Sequence, residues 1–160
     1  MASLRLFLSV ALVAAIAAAG AERAAAADFS GLAAWVGKYP FDRVRGRTLL
    51  DYPGLRPEIQ RLLGAQAYAE WNIIRGPSPP VMRVGEHVAA NYCQAHDCAD
   101  KNTTILVHLR TGAIALCWTN QPATAGARWF VSGRAVKLER DPSCPGNEDE
   151  VRASLRRLGL

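Results

Sequence analysis

The fold is decided by residues 103–118, which read TTILVHLRTGAIALCW. In the first half, three apolar residues alternate with a mixed set: Ile105, Val107 and Leu109 against Thr104, Leu106 and His108. A period of two residues places the two sets on opposite faces of a strand. Gly112 then closes a short turn, and residues 113–118 supply the returning strand. The stretch therefore predicts an antiparallel hairpin.

Further strands extend this hairpin on both sides. Upstream, residues 81–84 and 87–92 are predicted to form a second hairpin that turns at Gly85-Glu86. Downstream, residues 128–132 and 135–138 are predicted to be two more strands. Strands that are joined by short turns pair as an antiparallel meander. We therefore expect a five- to six-stranded sheet.

Helices are predicted before and after the sheet. The helical segments are residues 29–36, 57–63, 66–73 and 148–158. Pro57 suits the first position of its helix, and Gly64 ends that helix. In the last segment, Val151, Leu155 and Leu158 recur at helical spacing, which predicts packing on the sheet. The predicted fold class is α+β: an antiparallel five- to six-stranded sheet with short helices packed against it.

The N-terminus has the pattern of a secretory signal peptide. Arg5 gives a positive start, residues 6–19 are almost continuously apolar, and the small residues 25–27 follow. The apolar run is shorter than the roughly 20 residues that span a bilayer, and no cysteine near the cleavage region offers a site for a lipid anchor. We therefore expect a signal peptide over residues 1–27, a single domain over residues 28–160, and a periplasmic or secreted protein without a membrane anchor.

Four cysteines lie in the expected mature chain: Cys93, Cys98, Cys117 and Cys144. An even number in an exported protein predicts two disulfides in an oxidising compartment. Three pairings are available on paper. We favour Cys93–Cys98 together with Cys117–Cys144.

A short loop between two predicted strands carries the most informative residues, Cys93-Gln94-Ala95-His96-Asp97-Cys98. The favoured disulfide would close this loop and place His96 near its tip. Closing so short a ring stabilises the fold by only about 2 kcal/mol in the chain-entropy estimate. A closed loop also has less conformational freedom to lose when it binds. The segment is therefore predicted to be a disulfide-closed loop that presents His96 for binding; a loop tip whose histidine has no function stays an alternative.

Several other functions lack their motifs. No nucleophile elbow, phosphate loop or dinucleotide fingerprint is present, and an oxidised cysteine is no nucleophile, so we expect no enzyme activity and no cofactor. Structural zinc needs more than one short Cys pair, and His87 and His108 are interpreted as sheet residues, so we expect no metal. The net charge is +5, but the basic residues are scattered rather than arranged in a stripe, which argues against nucleic-acid binding.

The loop resembles the signature of the inhibitor of vertebrate lysozyme family, Cys-x-x-His-x-Cys, whose common form is Cys-Lys-Pro-His-Asp-Cys. The context agrees: a signal pattern comes first, a Gly-Glu-His-Val strand over residues 85–88 leads into the loop, and the 103–118 hairpin follows it. The similarity covers residues 81–129. It implies a small protein with an antiparallel sheet, helices against it, and a protruding loop that enters the lysozyme cleft as a plug.

The resemblance implies that the inhibitory loop consists of Cys93, Gln94, Ala95, His96, Asp97 and Cys98. A retaining lysozyme uses two carboxylates about 5–5.5 Å apart, and an imidazole between them can bond to both because its ring nitrogens point in opposite directions. His96 is therefore expected to capture the catalytic acid and base, while Asp97 bonds backbone or cleft groups. Gln94 and Ala95 replace the common Lys-Pro, which removes a cation and a rigid proline.

The implied partner is a lysozyme or a lytic transglycosylase, and the family also makes a homodimer a candidate assembly. Long-range steering toward a basic animal lysozyme is unfavourable, because this chain is itself basic. An alternative function stays open: a non-inhibitory periplasmic binding or envelope protein on the same scaffold.

Overall fold

The computed structural model describes residues 28–122, 126–133, 137–138 and 143–160, so the expected signal peptide lies outside the described residues. The fold is α+β, as predicted. Two 3-10 helices, Ser30–Trp35 and Leu49–Asp51, come first. The remaining elements are α1 Leu55–Leu63, α2 Ala65–Trp71, β1 Met82–Val84, β2 His87–Cys93, β3 Lys101–His108, β4 Ile114–Asn120, β5 Arg128–Val131, β6 Lys137–Leu138 and α3 Glu148–Leu158.

The six strands form one sheet in chain order, and every neighbouring pair is antiparallel. Val84 and His87 are register partners, which confirms the predicted turn at Gly85-Glu86. β3 and β4 form the hairpin predicted from residues 103–118. β6 has two residues, and the other half of its predicted span lies outside the described residues. The strands β2, β3 and β4 therefore lie in the interior of the sheet.

Both faces of the sheet are covered. Ile105 and Val107 lie in the larger core together with Trp71 of α2, whereas Leu106 lies in the smaller core together with Val151 of α3. The alternation in the sequence therefore separates two cores rather than a core from solvent. This explains why β2 is buried along its whole length. Each large aliphatic side chain that is fully buried contributes about 1.5–3 kcal/mol to folding.

The four predicted helices are found with three differences: the first is a 3-10 helix, α2 ends two residues early, and α1 begins two residues early. This helix begins at Leu55, two residues before Pro57. Gly54 precedes it with φ +82°, which glycine adopts without strain, and Pro57 still lies in the first turn, where its missing N–H removes no helical bond. α3 has its predicted bounds and begins after Asn147, whose side chain accepts the N–H of Glu150 at 3.0 Å. No helix within the described ranges is long and apolar enough to cross a membrane.

The favoured disulfide pairing is confirmed. Cys93–Cys98 closes the loop between β2 and β3, and Cys117–Cys144 joins β4 to the segment before α3. The second disulfide closes the longer ring, with a sequence separation of 27. In the chain-entropy estimate that ring stabilises the fold by about 3.6 kcal/mol. The smaller core is therefore fastened covalently to the sheet.

Candidate functional site

The candidate loop connects β2 to β3 at one end of the sheet. Cys93 and Asn102 are the last register partners of this strand pair. Beyond them, the N–H of Gln94 donates to the carbonyl oxygen of Lys101 at 2.9 Å, and the N–H of Lys101 donates to that of Asp97 at 2.9 Å. These backbone bonds continue the order of the sheet into the loop. The loop is thus held between two interior strands.

The disulfide of the loop joins a buried residue to an exposed one. Cys93 is the buried end of β2, whereas Cys98 is exposed, and their Cα atoms are 4.8 Å apart. The bond therefore fixes the exposed limb of the loop to the rigid sheet. Less conformational entropy is left to lose when a partner contacts the loop.

His96 lies in the exposed part of this loop and has a left-handed backbone, with φ +66°. This conformation costs a residue with a side chain roughly 1–2 kcal/mol. The surrounding backbone bonds maintain it, among them the N–H of Asp97 donating to the carbonyl oxygen of Gln94 at 3.0 Å. Within the part of the chain that the structure describes, no hydrogen bond, ion pair or ring contact engages the imidazole. The imidazole is available to a partner.

Asp97 has a partner inside the loop. Its Oδ2 lies 3.0 Å from Nζ of Lys101, and both side chains are about one-third exposed, at 31% and 29%. The family resemblance implies that Asp97 bonds backbone or cleft groups; the structure instead pairs it with Lys101, four residues further along the chain. The ion pair neutralises the carboxylate beside His96. A partly exposed pair of this kind is worth at most about 1 kcal/mol, so its main effect is on the local charge.

Asn102 supports the loop, and no motif in the sequence singled it out. Its side chain is buried, and its Nδ2 donates to the carbonyl oxygen of Cys98 at 2.7 Å and to Oγ of Ser143 at 3.0 Å. Its Oδ1 accepts the N–H of Cys144 at 2.9 Å. One amide therefore connects the candidate loop to the second disulfide. The feature of the sequence that could have indicated this support is a polar residue at the start of a mostly apolar strand.

Gly76 supports the loop from the other side. Its N–H donates to the carbonyl oxygen of Cys93 at 2.7 Å, and the N–H of Cys93 donates to the carbonyl oxygen of Pro77 at 3.2 Å. The Pro-rich segment after α2, which the sequence predicts to be an irregular connection, thus pairs with the last residue of β2. The base of the loop has backbone partners on both sides.

His87 and His108 lie far from the candidate loop. They are register partners at the opposite end of β2 and β3, and their rings meet edge to face at 4.8 Å. Cys93 comes six positions after His87 along β2, which at about 3.3–3.4 Å per residue is about 20 Å. The two histidines are sheet residues, as predicted. Among the described residues no group of three metal-ligating side chains comes together.

The central part of the chain matches a known family. Residues 54–129 match the model of the family described as inhibitor of vertebrate lysozyme (Ivy). This segment is of the Ivy family. No curated protein and no solved structure matches the chain. The resemblance inferred from the loop is therefore confirmed, and the match begins well before the loop, at α1.

The Ivy segment contains the whole candidate loop with its supports. Gly76, His96 and Asn102 all lie inside residues 54–129, whereas α3 and Cys144 lie outside. The disulfide Cys117–Cys144 therefore ties the Ivy segment to a part of the chain beyond the match. The family description names inhibitors and not enzymes.

Proposed function

We propose that this protein is an exported inhibitor of lysozyme-type peptidoglycan glycosidases and that it inserts the Cys93–Cys98 loop into the active-site cleft. The observation that carries the proposal is the exposure of the His96 side chain and its lack of partners among the described residues. Its imidazole is exposed and unengaged on a loop that is already closed, inside a segment of the Ivy family. If His96 belonged to a packed core or to a metal site, other side chains of this chain would contact its imidazole.

The chemistry of the target explains why an imidazole suits the cleft. A retaining lysozyme places a protonated and an ionised carboxyl group about 5–5.5 Å apart. The two ring nitrogens of His96 point in opposite directions, so that one ring can bond to both groups. Hydrogen bonds to charged groups are strong in a cleft from which water is excluded. Inhibition then combines occlusion with capture of the catalytic acid and base.

The loop reaches this state at a low entropic cost. The common Lys-Pro of the family signature is Gln94-Ala95 here, so the loop has no proline at that position. The backbone bonds of Lys101, the contact with Gly76 and the amide of Asn102 provide order in its place. This chain is basic, so its charge does not steer it toward a basic lysozyme over long distances. Affinity therefore has to arise from short-range contacts between the enzyme and a loop that is already ordered.

The experiment compares wild type with His96→Asn in the inhibition of cell-wall lysis by a panel of lysozymes and lytic transglycosylases. Asparagine tolerates a left-handed backbone, so this variant removes the imidazole and keeps the loop. Truncating a buried charged contact costs about 2–5 kcal/mol, which predicts at least a 30-fold loss of inhibition, mainly in the off-rate. His108→Asn is the matched control and should inhibit like wild type.

Two results would contradict the proposal. If wild type inhibits and His96→Asn inhibits equally well at an unchanged melting temperature, the plug mechanism is wrong. If wild type inhibits no glycosidase in the panel, the alternative of a non-inhibitory periplasmic binding or envelope protein replaces it. The same panel distinguishes a lysozyme from a lytic transglycosylase as the target.

Export and assembly are parts of the same proposal. The signal pattern over residues 1–27 and the two disulfides support a periplasmic or secreted domain over residues 28–160. Mass spectrometry of the exported protein tests the cleavage site, and size-exclusion chromatography with light scattering tests for a homodimer.

A further inference from the structure

A cluster of cationic and hydroxyl groups lies beside the base of the loop. It consists of Arg56 on α1, Asn72 at the end of α2, Arg75, and Tyr92 on β2, and we call it the arginine cluster. Arg75 precedes Gly76, and Tyr92 precedes Cys93, so the cluster adjoins the two residues whose backbones meet under the loop. The proposed inhibition uses none of these four side chains.

Two guanidinium groups converge on one neutral oxygen. Arg56 donates from Nη1 to Oδ1 of Asn72 at 3.3 Å, and Arg75 donates from Nη2 to the same oxygen. Like charges at this separation repel each other. The fold holds them together because α1 and α2 pack side by side, with Asn72 between the two arginines.

The arginine cluster has two positive charges, and a carboxylate pairs with one of them. Asp51 accepts from Nε and Nη2 of Arg56 at 3.2 and 3.0 Å. Arg75 has no carboxylate partner among the described residues; it donates to the carbonyl oxygen of Ile74 at 2.7 Å and lies 5.3 Å over the ring of Trp71. Burial, followed by the nearby charge of Arg56, lowers the pKa of Arg75. One positive charge is therefore left over in a half-buried place.

The hydroxyl of Tyr92 supplies an unused donor. Tyr92 is 1% exposed, and its hydroxyl has no hydrogen-bond partner within the described residues. Burial raises the pKa of Tyr92, and the charges of Arg75 and Arg56 are the next influences on it. The hydroxyl therefore stays protonated and lies in the field of both guanidinium groups. A buried hydroxyl without a protein partner can donate to a bound group.

We propose that the arginine cluster binds one oxyanion group, a carboxylate or a phosphate, at the guanidinium groups of Arg56 and Arg75 that meet at Asn72, with the hydroxyl of Tyr92 as a third donor. The planar fork of arginine suits exactly these two groups. The bound oxygen atoms would balance the charge of Arg75 and satisfy Tyr92. Asp51 and the Tyr68 hydroxyl also face Arg56, so the charge that the oxyanion would balance is that of Arg75.

Thermal melts and calorimetric titrations of the exported protein test the proposal. Sodium phosphate and sodium acetate are compared with sodium chloride at matched ionic strength. At ten times its dissociation constant, a bound anion raises the melting temperature by about 3–5 °C. A rise with phosphate alone assigns a phosphate site, a rise with acetate alone a carboxylate site, and a rise with both a general oxyanion site. No rise and no binding heat with either anion overturns the proposal.

Two variants locate the site, and a third serves as control. Arg75→Gln should weaken anion binding at least tenfold, and Tyr92→Phe should weaken it about tenfold. Tyr92→Phe keeps the ring, so in chloride it should melt no lower than wild type. Arg61→Gln removes another arginine of α1, which pairs with Glu58, and should leave the anion response unchanged. If Tyr92→Phe melts lower in chloride and keeps the full anion response, a water satisfies the hydroxyl and the proposal is wrong.

Discussion

The N–H of Gly76 donates to the carbonyl oxygen of Cys93 at 2.7 Å, and a Cβ atom at position 76 would lie 2.4 Å from that same oxygen. It would also lie 2.4 Å from the backbone nitrogen of Ala95. Both neighbours are backbone atoms of the loop, and they cannot rotate away as the end of a side chain can. Only glycine lets the backbone at position 76 approach the loop this closely, and the position of the loop depends on this contact.

Gly76→Ala should therefore displace the loop base. Overpacking of this kind costs about 1–3 kcal/mol, and the displaced His96 should inhibit less well even where the protein stays folded. The measurements are the urea-unfolding free energy and the inhibition constant against the most sensitive glycosidase of the panel. Gly146→Ala is the matched control, because a Cβ at position 146 meets nothing within 4 Å. Equal inhibition by both variants would show that the contact does not position the loop.

Asn102→Ala should destabilise the fold by about 2–3 kcal/mol. The change leaves the buried N–H of Cys144 without its acceptor, which costs about 1–3 kcal/mol, and it also removes the hydrogen bonds to Cys98 and Ser143. Urea unfolding measures the loss. Gln66→Ala, an exposed change on α2, should stay within about 0.5 kcal/mol of wild type. A loss for Asn102→Ala as small as that of the control would mean that water replaces the amide.

The sheet was predictable because its signal is local. The alternation of Ile105, Val107 and Leu109 with Leu106 and His108 is set by the pleat of a strand, and the short turns limit the pairing. The sequence allowed three disulfide pairings, and the one favoured there, with Cys93 bonded to Cys98, is the one found. The sequence did not indicate that both faces of the sheet would be covered. This is seen only in the structure, where α3 packs on the face opposite α1 and α2.

The supports of the loop could not be predicted in the same way. Gly76 and Cys93 are far apart in the chain, and the Pro-rich segment between α2 and β1 has no period that would place it. The left-handed backbone of His96 depends on the bonds of Asp97 and Lys101 around it. Such features arise from tertiary contacts, so the sequence identified the loop and His96 but not what holds them in place.

Stability should fall as the pH drops below about 6.5 because of His87. Burial, and after it the charge of His108, lowers the pKa of His87, against a smaller opposite effect of Glu86. The unfolded chain therefore binds a proton at a higher pH than the folded chain. The free energy of unfolding is unaffected above the unfolded value of about 6.5 and decreases as the pH falls from there toward the lower folded pKa.

The measurement is urea unfolding from pH 5 to pH 8 for wild type and His87→Gln. The variant should lose most of the slope between pH 5 and 6.5, since most carboxylates titrate below that range. An identical slope in both proteins would show that His87 is not the group responsible.

The two disulfides should separate stability from inhibition. Cys93→Ala/Cys98→Ala opens a ring of short separation, which removes only about 2 kcal/mol of stability, whereas Cys117→Ala/Cys144→Ala opens the longer ring and removes about 3.6 kcal/mol. The first pair closes the loop that carries His96, whereas the second joins β4 to the segment before α3 and contacts the loop through the amide of Asn102.

The loop variant should therefore be the more stable of the two and yet the weaker inhibitor, because its loop must be ordered on contact at about 0.5–1.5 kcal/mol for each side chain that is immobilised. Unfolding free energies and inhibition constants, measured below both melting temperatures, give the comparison. If inhibition follows stability through both variants, the disulfide at Cys93 holds the fold together and does not prepare the loop for binding.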